Sequence, residues 1–181
     1  TGVQTCALPI WLVANIAAIR QSVDKAGLPL RVVAKSLHSP KLLDAVLAGM
    51  GSDRLMVFSA EMLLQLLPAR PQADYLMGKP LPVSEYARVA DKAGADTLGR
   101  VQWLIDTPLR LSEYVAAAKS RGLSLNASLE IDVGLHRGGF ADGQTLSAAV
   151  AAAMMGVRVR MMDAALMLMT LAVVLACEMM L

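Results

Sequence analysis

Apolar residues recur along this chain with two spacings, one typical of helices and one typical of strands. A period of three to four residues predicts amphipathic helices. It occurs in WLVANIAAIRQSVDKAG, SPKLLDAVLAGMG, AEMLLQLLPA, VSEYARVADKAG, PLRLSEYVAAAKSRG and DGQTLSAAVAAAMMG. Short apolar runs between them are typical of strands that are buried on both faces. They are LRVVAKS, RLMVFS, ADYLMG, VQWLID and NASLEID, and a sixth can begin at VRVRMM.

Capping residues mark several helix boundaries. Ser39 followed by Pro40 predicts an N-cap and a first helical residue, and Pro108 marks another helix start. Gly27 fits the position after a helix, and Pro68 is expected to end its helix because proline cannot donate a backbone hydrogen bond.

The alternation of strands and helices predicts βα units and a parallel sheet with right-handed crossovers. Two α/β architectures fit, a doubly wound sheet and an incomplete (β/α)₈ barrel. A complete barrel needs about 250 residues, and this chain has 181. A barrel of about five to six βα units would therefore be open.

The two ends of the chain differ from its middle. TGVQTCALPI has no charged residue or apolar period, resembles a translated sequencing adapter, and is expected to pack against nothing specific. Near the other end, Ala164–Cys177 gives 14 residues without a charge, whereas a bilayer span needs roughly 20. A membrane helix is therefore not favoured. We predict a non-native leader over 1–10, a barrel portion over 11–160 and an apolar helical tail over 161–181, which is either native or a read-through product.

Composition excludes several functional classes. The formal net charge is +2 and no basic stripe is interleaved with aromatic residues, which argues against a nucleic-acid partner. The two cysteines, Cys6 and Cys177, lie in the leader and the tail. This excludes a disulfide framework or a cysteine-rich zinc site and suits a cytoplasmic protein.

The candidate chemistry follows the predicted strands, because both architectures bind ligands beyond the carboxyl ends of their strands. Lys35 closes the strand LRVVAKS. A desolvated lysine there can lose its proton and form a Schiff base, although a solvated strand-end lysine is the simpler alternative. His38, at the next helix entrance, fits a solvated or capping role better.

Two carboxylates and one arginine stand in SLEIDVGLHRGGF. Glu130 and Asp132 share one strand face, either as an acid/base pair or as groups that hold neighbouring loops. Arg137 lies in a glycine-rich loop, where a guanidinium suits an anionic oxygen. His136 is expected to be structural. With His38 it does not make a metal site, which needs three or four ligands.

Two further strand ends carry polar side chains. Lys79 follows ADYLMG, and its role stays open. Asp106 and Thr107 follow VQWLI, where capping of the next helix is favoured over catalysis.

Taken in order, several stretches resemble a known family. NIAAI, LRVVAKS, GSDRLMVFS, YLMGKPLP, WLIDT and LEIDVGLHRGGF resemble the fold-type III enzymes that use pyridoxal 5′-phosphate. The similarity is to their D-threonine aldolase and D-serine dehydratase branch, often labelled alanine racemase-like. It extends over about Leu12–Ala153, and the strand-end lysine and EIDVGLHRGGF are its most specific parts.

The resemblance implies a cofactor-holding barrel followed by a β-rich domain. Lys35 matches the lysine that forms the aldimine with the cofactor, and Arg137 matches the arginine at its phenolic oxygen. Arg31 also matches this branch, without an assigned role. The sequence departs from the aldolase branch at His38, which stands one place later than the family histidine, so that role is not transferred.

The implied chemistry is that of a lyase or racemase of small D-amino acids. Proton removal by Lys35 would give racemisation or elimination. Retro-aldol cleavage would need a base at the β-hydroxyl, helped by a divalent metal in the C-terminal domain. This sequence contains neither that domain nor the late strands that hold the cofactor phosphate in the family. We therefore expect an enzymatic, cytoplasmic parent protein, with a homodimer left open, and an inactive fragment.

Two alternatives remain at this stage. One is the non-catalytic pyridoxal-phosphate-binding homeostasis protein of the same barrel type. Its corresponding loop usually lacks the arginine, so Arg137 argues against it. The other is an unrelated phosphate-binding α/β domain with a membrane-anchoring tail.

Overall fold

A computed structural model of the protein describes residues 7–37, 39–134, 136, 138–153 and 157–161. Helices and strands alternate throughout these ranges, as the apolar pattern predicts. The elements are α1 (Ala7–Ala26), β1 (Val32–Val33), a 3₁₀ turn (Ala34–Ser36), α2 (Pro40–Met50), β2 (Arg54–Val57), α3 (Ala60–Ala69), β3 (Asp74–Met77), α4 (Val83–Lys92), α5 (Ala95–Leu98), β4 (Val101–Ile105), α6 (Pro108–Lys119), β5 (Leu125–Leu129), α7 (Gly143–Ala153) and β6 (Val157–Met161).

The strands form one parallel sheet in which every strand pairs with the next one in the chain. The order is β1-β2-β3-β4-β5-β6, and all the pairings are parallel. A doubly wound sheet would reverse its strand order at a switch point. The monotonic order therefore excludes that alternative and confirms the incomplete (β/α)₈ barrel.

Local sequence signals set most helix boundaries. Ser39 accepts a hydrogen bond from the Leu42 N–H and Thr107 accepts one from the Arg110 N–H, so both act as N-caps. Pro68 does not end α3 where expected, because it lies within the last turn and the helix continues to Ala69. The short helix α5 was not predicted.

The main core lies between the sheet and the helices. Trp103 packs edge-on against Tyr86, with ring centroids 4.8 Å apart, and Tyr114 completes the aromatic cluster at 4.8 Å from Tyr86. The buried Tyr114 hydroxyl donates to the Leu81 carbonyl at 3.0 Å. Burial raises the pKa of the Tyr114 phenol above its usual range.

The other face of the sheet lines the barrel interior, because successive side chains of a strand point to opposite faces. Val33, Met56 and Leu76 form a buried apolar cluster on this face, and Phe58 packs against it. This small cluster supports the carboxyl-terminal rim of the sheet.

A polar network crosses the sheet below that cluster. Arg31 is buried and pairs with Asp74. Gln102 donates to Asp74 Oδ1 at 2.6 Å, and Ser128 donates to Gln102 Oε1 at 3.3 Å. Arg31 precedes β1 and Asp74 begins β3, so the ion pair lies near the amino-terminal ends of these strands, away from Lys35.

The predicted ends of the chain are described only in part. α1 begins at Ala7, and Met161 is the last residue of β6. The remainder of the predicted tail, 162–181, lies outside the described residues, so its helical character stays a prediction, as does the leader over 1–10. Among the described helices, none is both long and apolar enough to span a membrane.

Candidate functional site

Lys35 lies at the carboxyl-terminal rim of the sheet. β1 ends at Val33, and the chain then turns through the 3₁₀ segment that contains Lys35. The turn is closed by the Leu37 N–H, which donates to the Ala34 carbonyl at 3.0 Å. Lys35 is exposed, and its Nζ lies 4.0 Å from the centroid of the Phe58 ring. The amine is therefore both accessible and supported by an aromatic face.

Three neighbouring strands contribute to this part of the rim. In the β1–β2 register Val33 is opposite Met56, so Lys35 and Phe58 occupy matching positions two residues further on. The β2–β3 register brings Gly78 beside Phe58. Lys35, Phe58 and Gly78 thus form one row across the ends of β1, β2 and β3.

Gly78 provides the space that the Phe58 ring occupies. A Cβ atom at this position would lie 2.6 Å from Phe58 Cε1 and 2.9 Å from Met56 Cγ, and it would also collide with Phe58 Cζ. Contacts this short require a neighbour to move. The Phe58 ring can keep its position beneath Lys35 only because residue 78 has no side chain.

The second part of the rim is the loop that follows β5. Its base is closed by backbone hydrogen bonds from the Phe140 N–H to the Glu130 carbonyl at 2.7 Å and from the Asp132 N–H to the Phe140 carbonyl at 3.0 Å. Phe140 is buried. These contacts hold both ends of the loop against the sheet.

Asp132 organises the interior of that loop. Its Oδ1 accepts hydrogen bonds from the Gly134 N–H at 2.9 Å and the His136 N–H at 3.0 Å, and its Oδ2 lies 2.8 Å from His136 Nδ1. The hydrogen bonds from His136 and Gly134 lower the pKa of the Asp132 carboxyl. Asp132 therefore holds the loop, and His136 has the structural contact that we expected.

The loop depends on backbone conformations that favour glycine. Gly134, Gly138 and Gly139 have φ of 104°, 148° and 105°, and His136 has φ of 50°. Arg137 stands between two of these residues in sequence but lies outside the described residues, so its predicted cofactor contact remains a prediction. The flanking residues follow the carboxyl end of β5, on the rim that also carries Lys35.

Glu130 and Asp106 bring two carboxylates to the ends of β5 and β4. Burial, followed by the negative charges of Asp106 and Asp132, raises the pKa of Glu130. A Cβ on Gly138 would lie 3.7 Å from Asp106 Oδ2 and 4.0 Å from Glu130 Oε2, so this loop residue packs beside both carboxylates. Glu130 is therefore more readily protonated than Asp132, whose pKa is lowered.

Asp106 is held by the helix that follows it. Arg110 Nε donates to Asp106 Oδ1 at 2.9 Å, while Thr107 caps α6. The capping interpretation is therefore confirmed for Thr107, and Asp106 pairs with the first turn of the same helix.

The remaining candidates are Lys79, His38 and Arg31. Lys79 is exposed after β3, His38 lies outside the described residues, and Arg31 takes part in the network near the opposite end of β1. Across the described ranges, no group of three or more His, Cys, Asp or Glu side chains could hold a metal ion.

Sequence reasoning missed Phe58 and Gly78. Phe58 ends the apolar run RLMVFS, where an aromatic residue is expected to be core. Only the strand pairing shows that it lies under Lys35. Gly78 ends the predicted strand ADYLMG, and nothing in its local sequence indicates the ring that it accommodates.

The sequence profile of the alanine racemase N-terminal domain matches residues 11–163. No curated protein sequence matches the chain.

Several solved structures have the same fold. D-threonine aldolase from Filomicrobium marinum aligns with a TM-score of 0.65 and 18% identity, over 83% of this chain and 40% of that one. Histidine racemase from Leuconostoc mesenteroides aligns with a TM-score of 0.65 and 20% identity, over 81% of this chain and 38% of that one. D-threo-3-hydroxyaspartate dehydratase from a Delftia species aligns with a TM-score of 0.63 and 18% identity, over 83% of this chain and 40% of that one. This chain therefore spans about two-fifths of the length of these structures.

Proposed function

Because this chain belongs to the alanine racemase N-terminal domain family, we propose that it is the cofactor-binding part of a pyridoxal-phosphate-dependent enzyme in which Lys35 attaches the cofactor. We propose further that the whole enzyme is a cytoplasmic protein that acts on a D-amino acid, most plausibly a β-hydroxy one. The observation that carries the proposal is the accessible Lys35 amine at the carboxyl-terminal rim of an open barrel.

The described residues fit the aldehyde end of this cofactor. An aldehyde needs an accessible amine, and Lys35 is exposed with its Nζ above an aromatic ring. The rim beneath it is apolar through Phe58 and Met56, which suits the flat ring of a cofactor. On this basis Lys35 would hold the aldehyde carbon and Phe58 would border the site, and Arg137 is proposed to contact the phenolic oxygen.

Pyridoxal phosphate, when bound, withdraws electrons from the bonds to the substrate's α-carbon. The protein decides which bond breaks by placing its acids and bases. Lys35 Nζ is the proposed group that removes and returns the α-proton, because an amine at the rim can carry a proton at that one atom. The hydrogen bonds to Asp132 hold Gly134 and His136, which precede Arg137 in the sequence.

Glu130 contributes a second proton-carrying group to the rim. Its pKa is raised mainly by burial, so it holds a proton to higher pH than an exposed carboxyl does. It borders the same loop and is a candidate for hydrogen bonding to a substrate or cofactor oxygen.

The proposal is tested on the 181-residue chain by reductive trapping. The chain is incubated with pyridoxal phosphate, reduced with borohydride and digested, and the modified lysines are identified by mass spectrometry. We expect Lys35 to be modified ahead of other lysines, and Lys35→Ala to remove that product. Lys119→Ala is the matched control, because Lys119 is exposed in the last turn of α6. Equal modification of Lys35 and Lys119 would refute the Lys35 assignment.

The reaction is tested separately on the full-length parent protein. Wild type and Lys35→Ala are compared for the visible absorbance of bound cofactor and for turnover of D-threonine, D-serine and D-alanine. Turnover that depends on Lys35 supports the proposal that the parent protein is an enzyme. Cofactor binding without turnover of any D-amino acid would instead indicate a non-catalytic cofactor-binding protein.

A further inference from the structure

We propose that the Phe58 ring is a resting site for the Lys35 ammonium, and that Gly78 is required because it lets the ring occupy this position. Phe58 would then be a positioning residue, which holds Lys35 Nζ at one place on the rim until an aldehyde reaches it. The functional meaning of this inference depends on the proposed role of Lys35, whereas the contact itself does not.

The geometry of the contact supports a specific interaction. Lys35 Nζ lies 4.0 Å from the Phe58 centroid, well inside the roughly 6 Å within which an ammonium is attracted to a ring face. The attraction comes from the negative face of the aromatic ring.

The ring is held from below and from the side. Phe58 packs on the buried cluster of Val33, Met56 and Leu76, which fixes its height above the barrel interior. Gly78 borders it laterally, where any Cβ would collide with Cζ and Cε1. Lys35 itself is in a closed 3₁₀ turn. The Phe58 ring and the backbone of Lys35 are therefore both restrained.

The contact is tested in the cofactor-free chain by nuclear magnetic resonance. Lysines are dimethylated with ¹³C-formaldehyde and cyanoborohydride, which keeps their positive charge, and the Lys35 signal is assigned with Lys35→Arg. Methyl groups above an aromatic face are shifted upfield by the ring current. We expect the Lys35 signal upfield of the other lysines, and we expect Phe58→Leu to abolish that shift while Phe58→Tyr keeps it.

Gly78→Ala provides an independent perturbation, because it displaces the ring without removing it. We expect the Lys35 shift to be lost in this variant as well. Gly94→Ala is the matched control, because a Cβ at Gly94 meets nothing within 4 Å. Circular dichroism establishes that each variant is folded. An upfield Lys35 signal that survives Phe58→Leu, or an unshifted signal in the folded wild type, would overturn the inference.

The link to cofactor capture is measured by the rate of reductive trapping of pyridoxal phosphate at fixed neutral pH. Lys35 Nζ must leave the ring before it can react with an aldehyde, and leaving the ring costs the cation–π attraction. Loss of the ring should therefore raise the Lys35 rate about two- to five-fold in Phe58→Leu, with Phe58→Tyr restoring the wild-type rate and Lys119 unaffected. An unchanged or slower Lys35 rate would refute the resting-site role. Absence of preferential Lys35 trapping in the wild type would refute the proposed function while leaving the resonance result standing.

Discussion

Arg31 and Asp74 form an ion pair that joins the start of β1 to the start of β3 across the intervening strand. Arg31 Nη2 lies 3.2 Å from Asp74 Oδ2, and the Arg31 side chain is only 4% exposed. Its Nη1 also donates to the Leu55 carbonyl at 3.1 Å and to the Asp74 carbonyl at 2.9 Å. One guanidinium therefore links three successive strands of the open barrel, near their amino-terminal ends.

Replacing Arg31 with methionine should destabilise the fold strongly. The substitution removes the guanidinium partner of Asp74, which is 30% exposed, and the hydrogen bonds to two backbone carbonyls, and together these losses should cost about 2–3 kcal/mol. The measurement is the free energy of unfolding in urea. The double variant Arg31→Met, Asp74→Asn should recover part of the loss, because no unpaired charge remains. A single variant as stable as the wild type would contradict the structural role of the pair.

Two glycines of the loop after β5 should respond differently to alanine. Gly139→Ala combines an unfavourable φ of 105° with a Cβ that would lie 2.7 Å from the Asp132 nitrogen. Gly134→Ala has a φ of 104° but meets nothing within 4 Å. We expect Gly134→Ala to cost about 1–3 kcal/mol from backbone strain and Gly139→Ala to cost more. The measurement is the free energy of unfolding of each variant. Equal losses of stability in the two variants would argue against the close approach at Gly139.

Glu130→Gln should stabilise the protein at neutral pH. Burial and the neighbouring carboxylates raise the pKa of Glu130 in the folded state, so the folded protein favours the protonated form. The associated stability is present below the unfolded pKa of about 4.3 and is lost as the pH rises through the folded pKa. The variant stays neutral, so its melting temperature should exceed that of the wild type at pH 7.5 and match it at pH 4. A difference in melting temperature that is the same at all pH values would rule out the ionisation of Glu130 as its cause.

The loop that Asp132 holds should loosen in acid. Hydrogen bonds from His136 and Gly134 lower the pKa of Asp132, so its contribution is present above the unfolded pKa of about 3.9 and is lost as the pH falls through the folded pKa. Amide hydrogen exchange at Gly134 and His136 reports the change. We expect lower protection factors for these two amides, relative to core amides, at low pH and in Asp132→Ala. Protection unaffected by Asp132→Ala would show that other contacts hold the loop.

Deletion of residues 1–10 should leave stability nearly unchanged. The segment has no charge or apolar period, and Ile10, within the first turns of α1, is 67% exposed. The expected loss in unfolding free energy is below about 1 kcal/mol, the size of an ordinary destabilising substitution. A larger loss would mean that this segment packs against the rest of the protein.

Much of the architecture was readable from the sequence because its signals act over a few residues. The alternating apolar spacings predict the helices and strands, and Ser39 and Thr107 cap the helices that follow them. The position of Lys35 at the end of a strand is local in the same sense. Even so, β1 is shorter than LRVVAKS suggested, because the chain enters a 3₁₀ turn after Val33.

The tertiary structure alone decided which distant residues meet. Strand order selected the barrel over the doubly wound sheet, since both have the same local pattern. Folding also brings Arg31 into contact with Asp74, which lies 43 residues away in the sequence. It likewise places Phe58 beneath Lys35. Glu130 and Asp132 look equivalent in the sequence, but burial raises the pKa of Glu130, whereas hydrogen bonds in the loop lower the pKa of Asp132. Backbone preferences and caps depend on neighbours in the chain, whereas strand register, desolvation and contact between side chains depend on segments that only folding brings together.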